Sequence, residues 1–376
     1  MPVTPGGDAA APLGATLGIE EEYHLVDPTT FTLQNRPELS TRALDGRAGP
    51  HLRPEMLTSQ LEAASDVCTT LAEARAAVVA MRQEATRAAA STGATILATS
   101  THPSATLAEI ELMARERYDR LTDRFGPVVR AVNLCGCHVH VAVPDLELAV
   151  RIMAHARPSL PLLGALTGSS PFHEGADTGY ESFRVAWLSL WQQGGPPPQL
   201  DSAEDYLATV DQLLDVGLVD EPSQLLWDLR PSSRYPTLEF RMADVCPVVD
   251  DVVLFAAVVR SLVRTLGARI AGGVPALRVS DPVLRGWRWR AARHGLRDRL
   301  WSPARCGLVP ARVAVDDLLA ELRDDLAAHD ELATVTDLGA GLLDRGTSAR
   351  RQRACHDRSG DLGEVVRDAV AVTAGR

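Results

Sequence analysis

The chain has 376 residues, 45% hydrophobic and 23% charged, which is ordinary soluble composition with enough apolar mass for a sizeable core, and neither collagen-like nor a disulfide scaffold. Its 38 basic residues are all arginine and stand against 49 acidic ones, a net charge of −11, which argues against a nucleic-acid partner or an anionic membrane surface. With no lysine anywhere, a Walker A loop, a protein-kinase strand lysine and a pyridoxal Schiff base are excluded as normally built.

Residues 1–14 lack the basic and apolar regions of a signal peptide and read as a short disordered tail ahead of one domain spanning 15–376. Leu17 to Val26 alternates with a period of two, placing Glu20 and Glu22 on one face of a strand with His24 continuing it. Thr70 to Glu73 is a capping box that opens a long Ala/Arg-rich helix stopping at Gly93, and Thr95 to Thr99 reads as a strand. A charged amphipathic helix is predicted around Thr106 to Arg124. Arg130 to Val143 follows as a β-branched strand on which Gly136, His138 and His140 share a face.

Helical stretches near Leu146 to Leu166 and Ala203 to Leu214 flank a loop, Gly168 to Tyr180, that is too polar for core, and a flexible GGPPP at Gly194 to Pro198. Leu225 to Arg230 and Thr237 to Met242 are two strands around a turn, the second carrying Thr237, Glu239 and Arg241 on one face. Val248 to Leu266 is a buried helix, too short in its apolar run to span a bilayer. The six cysteines are sparse and without metal-type spacing, which fits a reducing, cytoplasmic compartment.

Four constellations could carry chemistry. Glu20 and Glu22 offer oxygen ligands to a hard cation such as magnesium. His138 and His140 project two imidazoles from one side of an expected core strand. Arg230, Arg234 and Arg241 converge with Glu239, and arginine forks are suited to phosphate oxygens. Glu55 and Glu62 stand seven apart, which a helix would place on one face two turns along.

Taken in order, G-I-E-E-E, S-Q-L-E-A-A-S-D-V-C, T-H-P, E-R-Y, G-C-H-V-H-V, W-D-L-R-P-S, T-L-E-F-R-M-A-D and G-T-S-A-R-R-Q-R closely resemble the carboxylate-amine ligase family, also called type 2 glutamate-cysteine ligase. The resemblance runs from about Leu17 to the end. It implies an α+β, glutamine synthetase-like catalytic domain with a curved antiparallel sheet, helices on its outer face and the active site on the other. It further implies Glu20, Glu22, Glu55, Glu62, His140 and Glu239 as metal ligands for Mg2+ or Mn2+, and Arg230, Arg234, Arg241 and His138 as ATP contacts. Arg230, Arg241 and Glu239 would be catalytic, and Arg117 and Tyr118 would line the substrate pocket.

The expected reaction is ATP-dependent joining of a small-molecule carboxylate and an amine through an acyl phosphate, with glutamate and cysteine as the family's default pair and a homodimer as its default assembly. No protein nucleophile is needed, which agrees with the lack of a serine or cysteine triad pattern. A phosphotransferase acting on a guanidino or other nitrogen acceptor, and a metallohydrolase built on His138 and His140, are the competing readings.

Overall fold

The computed structural model describes residues 11–131 and 133–376. Seven strands form one antiparallel sheet: β1 (Leu17–Val26), β2 (Leu52–Pro54), β3 (Gln60–Ala64), β4 (Thr95–Leu97), β5 (Gly136–Ala142), β6 (Leu229–Pro231) and β7 (Thr237–Asp244). Their spatial order is β6-β7-β5-β1-β3-β2, with β4 beside β1. The helices used below are α1 (Leu71–Ala90), α2 (Glu116–Phe125), α3 (Leu146–Ala156), α4 (Leu160–Ala165), α5 (Phe183–Leu188), α6 (Val249–Ala271), α7 (Asp281–His294) and α8 (Ser348–Ser359).

Helices α1, α3, α4 and α6 pack on the sheet, and Ile19, Tyr23, Val139, Val141 and Phe240 join Val78, Phe255 and Val258 in one apolar cluster. The period of two in β1 therefore sends Leu17, Ile19, Glu21 and Tyr23 into the helices and Glu20 and Glu22 to the opposite face. Glu21, charged yet fully buried, is tolerated because Arg82 of α1 binds it bidentately, at 2.9 Å through Nε and 2.6 Å through Nη2, while the Tyr23 hydroxyl donates to it at 2.7 Å. Replacing Arg82 with Met strands a buried carboxylate, and we expect urea unfolding to report a loss of about 3–5 kcal/mol. Because the pair lies on the helix side, kcat/KM of the folded fraction should stay within about threefold of wild type; a drop of two orders would contradict that placement.

Several sequence expectations change. The capping box at Thr70 and Glu73 forms as predicted, starting α1. The stretch around Thr106 to Arg124 is not one helix: a single 3-10 turn at Leu107–Glu109, held by its own Thr106/Glu109 box, precedes α2. The stretch from Leu146 to Leu166 breaks at Arg157–Ser159, where Pro158 cannot continue the hydrogen-bond ladder. The strand expected from Arg130 begins only at Gly136.

The loop from Gly168 is not excluded from the interior, since Ser169 and Ser170 are fully buried and, with Ser182, satisfy Asp244 at the end of β7. The GGPPP run is held in place. Gly194 and Gly195 pair with Leu226 and Trp227, and the Pro197 carbonyl accepts from Arg157 at 2.8 Å. Of the tail expected over 1–14, residues 1–10 lie outside the described residues, and the Gly14 amide donates to Ala142 at 2.9 Å. Among the described residues no helix is long and apolar enough to cross a membrane, and all six cysteines are free.

Candidate active site

Strand register assembles the acidic and basic side chains on the face opposite the helices. Arg230 of β6 stands opposite Glu239 of β7, which stands opposite His140 of β5. Glu20 of β1 is opposite His138, and Glu22 is opposite Glu62 of β3. Between Phe240 and Ala243 the pairing of β7 with β5 shifts by a residue. Bulges of this kind commonly re-aim side chains beside a site, and here Arg241 remains on the same face as Glu239.

Two donor clusters result. In the first, one donor atom each from Glu20, His140 and Glu239 lies within 4.8 Å of the others. His140 Nε2 is 3.4 Å from Glu20 and 3.9 Å from Glu239, while its Nδ1 meets the Thr237 hydroxyl at 2.9 Å. Glu239 accepts from Arg230 Nε at 2.8 Å and Nη2 at 3.3 Å, and also from Arg241. Burial opposes ionisation of Glu239, but the Arg241 and Arg230 guanidiniums hold its carboxyl well below the usual range. Glu20 is likewise held low against its burial by the imidazoles of His138 and His140. Burial and the Arg241 charge push the His138 imidazole down, so it stays neutral.

In the second cluster, Glu22, Glu55 and Glu62 bring one oxygen each within 4.8 Å. Glu22 accepts the Gly136 amide at 2.6 Å. The Glu62 carboxyl is pushed well above its ordinary value by burial and by Glu20, Glu55 and Glu22, and Glu22 is raised by burial with Glu55 adding to it. Three carboxylates crowded in a low-dielectric recess repel unless a cation sits among them.

Both clusters suit divalent cations. Their donors are carboxylate oxygens plus one imidazole, the set favoured by magnesium or manganese over softer metals. The Nε2 atoms of His138 and His140 are buried without a protein hydrogen bond and face carboxylates, His138 Nε2 standing 3.8 Å from Glu22.

The six acids and imidazoles expected as metal ligands thus come together, though not by the route predicted for Glu55 and Glu62. Glu55 follows β2 and Glu62 lies within β3, so a turn between strands, not a helix, brings them together. The intervening backbone bonds sideways, Thr58 N to the Glu111 carbonyl at 3.0 Å and Leu57 bridging Leu112, which removes it from any helical ladder.

Arg230 and Arg241 converge on Glu239, but Arg234 does not: it sits exposed on the turn before β7. Arg117 is exposed on α2, with its guanidinium 5.2 Å over the ring of Tyr118. Tyr118 is buried, and its hydroxyl is raised by that burial and by the charge of Glu55. His24 is fully buried, pushed down to about 3 by burial and by His102, and belongs to neither donor set.

Sequence reading missed Arg184 of α5. Its only signal is an arginine following a polar loop. Here it lies against Gly136, where an added Cβ would stand 2.5 Å from Nη2 of Arg184 and 3.1 Å from Nε2 of His138. A side chain at that point would have to displace the Arg184 guanidinium, which occupies its space.

The profile of glutamate-cysteine ligase family 2 matches residues 16–368. The chain belongs to that family. Among its relatives, a protein of Salinispora tropica provisionally named glutamate–cysteine ligase 2 is 41% identical over 362 residues, covering 95% of each chain. A relative of the same provisional name from Rhodopirellula baltica is 35% identical over 363 residues, covering 95% of this chain and 96% of its own.

Among solved structures, a Francisella tularensis glutamate–cysteine ligase in complex with AMP superimposes with a TM-score of 0.73 at 13% identity, covering 98% of this chain and 91% of its own. A bifunctional glutathione synthetase from Pasteurella multocida gives 0.69 at 15% identity over 96% of this chain and 52% of that one. The fold is therefore that of glutamine synthetase-like ligases, as the resemblance implied, and the enzyme is a ligase of the glutamate–cysteine type.

Proposed function

We propose that this member of glutamate-cysteine ligase family 2 joins L-glutamate to L-cysteine with ATP, through a γ-glutamyl phosphate, to give γ-glutamylcysteine, ADP and phosphate. The observation that carries this reading is the convergence of Arg230 and Arg241 on Glu239, beside two acid clusters, on one face of the sheet.

A carboxylate is a poor electrophile. Its oxygen attacks the γ-phosphorus of ATP, ADP departs, and the resulting acyl phosphate is attacked by the amine, which loses a proton as phosphate leaves. Arg230 and Arg241 stabilise charge on the transferring oxygens, their forks aimed by Glu239. Divalent cations held by Glu20, His140 and Glu239, and by Glu22, Glu55 and Glu62, would neutralise phosphate oxygens as Lewis acids. The Nδ1 atom of His138 stands 3.3 Å from Glu20 and 3.4 Å from Arg241, donating to Glu20 when it carries the ring proton and accepting from Arg241 when it does not. The thiol of Cys137 is buried and pushed well up by that burial, so it serves the core and not as a nucleophile.

Hydroxylamine trapping tests the proposal. With Mg2+ and ATP, γ-glutamyl hydroxamate should accumulate in step with ADP only when glutamate is present. ADP release without any acid-dependent hydroxamate would instead mark a phosphotransferase.

A further inference from the structure

The motif Gly346–Arg353 belongs to the ordered family pattern, yet none of its residues is part of either donor cluster. It closes on the loop 168–182, and the meeting point is Glu181, 2% exposed. Among the described residues the Glu181 carboxylate accepts from Thr347 Oγ1 at 2.8 Å and Arg353 Nη1 at 2.6 Å, and pairs with Arg297 Nε at 2.7 Å. Its amide donates to the Ala292 carbonyl of α7 at 2.9 Å, and its carbonyl accepts from Ser170 at 3.2 Å. Two glycines leave room for it: a Cβ on Gly295, where φ is +52°, would stand 2.6 Å from Glu181 Cγ, and one on Gly168 would stand 3.0 Å from Glu181 Cβ.

The motif also grips the loop on either side of this junction. Arg353 binds Asp177 bidentately at 2.8 and 2.9 Å and donates to the Tyr180 carbonyl at 2.7 Å. Gln352 donates to the Ser169 carbonyl at 3.0 Å, and the Ala349 amide to the Gly168 carbonyl at 2.9 Å. The residues fixed in this way lead straight into the site. Ser182, next to Glu181, caps α5 and donates to Asp244 at 2.8 Å, while Ser170 Oγ donates to Asp244 at 2.7 Å and accepts the Arg184 amide at 3.1 Å. Arg184, three residues past Glu181, sets its guanidinium against Gly136, where the charges of Glu22 and Asp244 act on it. Arg230, level with Glu239 and His140 at the other end of β5, takes its partners elsewhere, from Glu239 and the carbonyls of Ser223 and Leu225.

We propose that Glu181 is a positioning residue for the ligation, drawing Thr347, Arg353 and Arg297 onto one carboxylate and so fixing Ser182 and Arg184 against the site. This gives the C-terminal motif its task. The inference rests on the ligase reading above. A group carried on a loop keeps its place only as firmly as the contacts behind it, and a displacement of about 1 Å from a remote change can cost about 10² in rate.

The test compares wild type, Glu181→Gln, Thr347→Val and Arg82→Met, the last breaking a buried pair on the helix side. The readouts are kcat for glutamate-dependent hydroxamate formation with Mg2+ and ATP, KM for ATP, and thermal midpoint. Glu181→Gln should lower kcat by about 10² with KM for ATP within about threefold, and Thr347→Val, which removes one hydroxyl, should lower kcat by about tenfold. Stability should rank the other way. Arg82→Met should melt lowest while keeping its kcat, because Glu181→Gln leaves Arg353 paired with Asp177 and Arg297 half-exposed to water. The double variant Glu181→Gln/Thr347→Val should fall no more than about threefold below Glu181→Gln, since both changes act through one contact. A kcat within about threefold of wild type in Glu181→Gln, losses that follow the midpoints across the variants, losses that multiply in the double variant, or a matching rise in KM for ATP overturns the role of Glu181 and leaves the ligase reading standing. Should Glu181→Gln not fold, Thr347→Val decides alone, and a kcat within about twofold of wild type overturns the role. No acid-dependent hydroxamate from wild type takes down both.

Discussion

Glu239→Gln is expected to lower kcat/KM for glutamate-dependent ADP release by a factor of about 10³ or more, since removing one preorganised electrostatic group at such a centre commonly costs 10²–10³ and Glu239 aims two. The carboxylate is 3% exposed and receives both Arg230 and Arg241. A glutamine keeps the shape and one acceptor oxygen but removes the charge that holds both forks and contributes to the first donor cluster. The two guanidiniums, freed of their common counter-charge, should repel and turn apart, so kcat should fall more than KM for ATP rises. Steady-state kinetics with a circular-dichroism check of folding measures this. A variant within tenfold of wild type would remove Glu239 from the centre of the mechanism.

Glu62→Gln should separate stability from activity. A carboxyl raised above its unfolded value stabilises the folded state fully below that unfolded value, and the contribution is lost as pH rises through the folded value. At pH 7.5, far above the unfolded value, burying Glu62 in the metal-free enzyme therefore opposes folding, and a glutamine imitates its protonated form. The metal-free variant should melt about 2 °C higher than wild type, a gap that closes toward pH 4.

Magnesium should reverse the order. Wild type gains about 2.7 kcal/mol of stability at a hundredfold excess over its dissociation constant, and the variant, lacking one of three carboxylates, gains less at the same concentration. Activity should fall by about 10² with the magnesium midpoint displaced upward. Differential scanning calorimetry with EDTA and with Mg2+ decides the matter. A variant that melts lower without metal, or responds to Mg2+ as wild type does, would show that the Glu22, Glu55 and Glu62 recess is no cation site.

The strand faces were legible because alternation is local. Glu20 and Glu22 had to share a side of β1, and Glu239 and Arg241 a side of β7, whatever those strands pack against. Spacing alone misled where backbone hydrogen bonds go to distant partners. Glu55 and Glu62 fit a helical spacing, yet the residues between them bond to the segment at Glu111 and Leu112, and a turn does the work assigned to a helix. Arg234 and Arg230 are four residues apart and equally basic, but the intervening turn carries one into solvent while register sets the other against Glu239.

Polarity misled in the same way at Ser169 and Ser170, which are buried because Asp244, far along the chain, accepts their hydrogen bonds. Local pattern thus determined β1, α1 and β7, the absence of lysine chemistry, the ordered motifs of the family and which side chains share a strand face. Only the tertiary structure decided which faces meet. The pairing of β1 with β3 and β5, and of β5 with β7, joins residues some 40 to 220 positions apart into two clusters of carboxylate and imidazole donors, and the bulge in β7 with Gly136 opens space for Arg184. The physical reason is that periodicity acts over one element, whereas charge compensation, register and burial are properties of distant segments brought within a few ångströms.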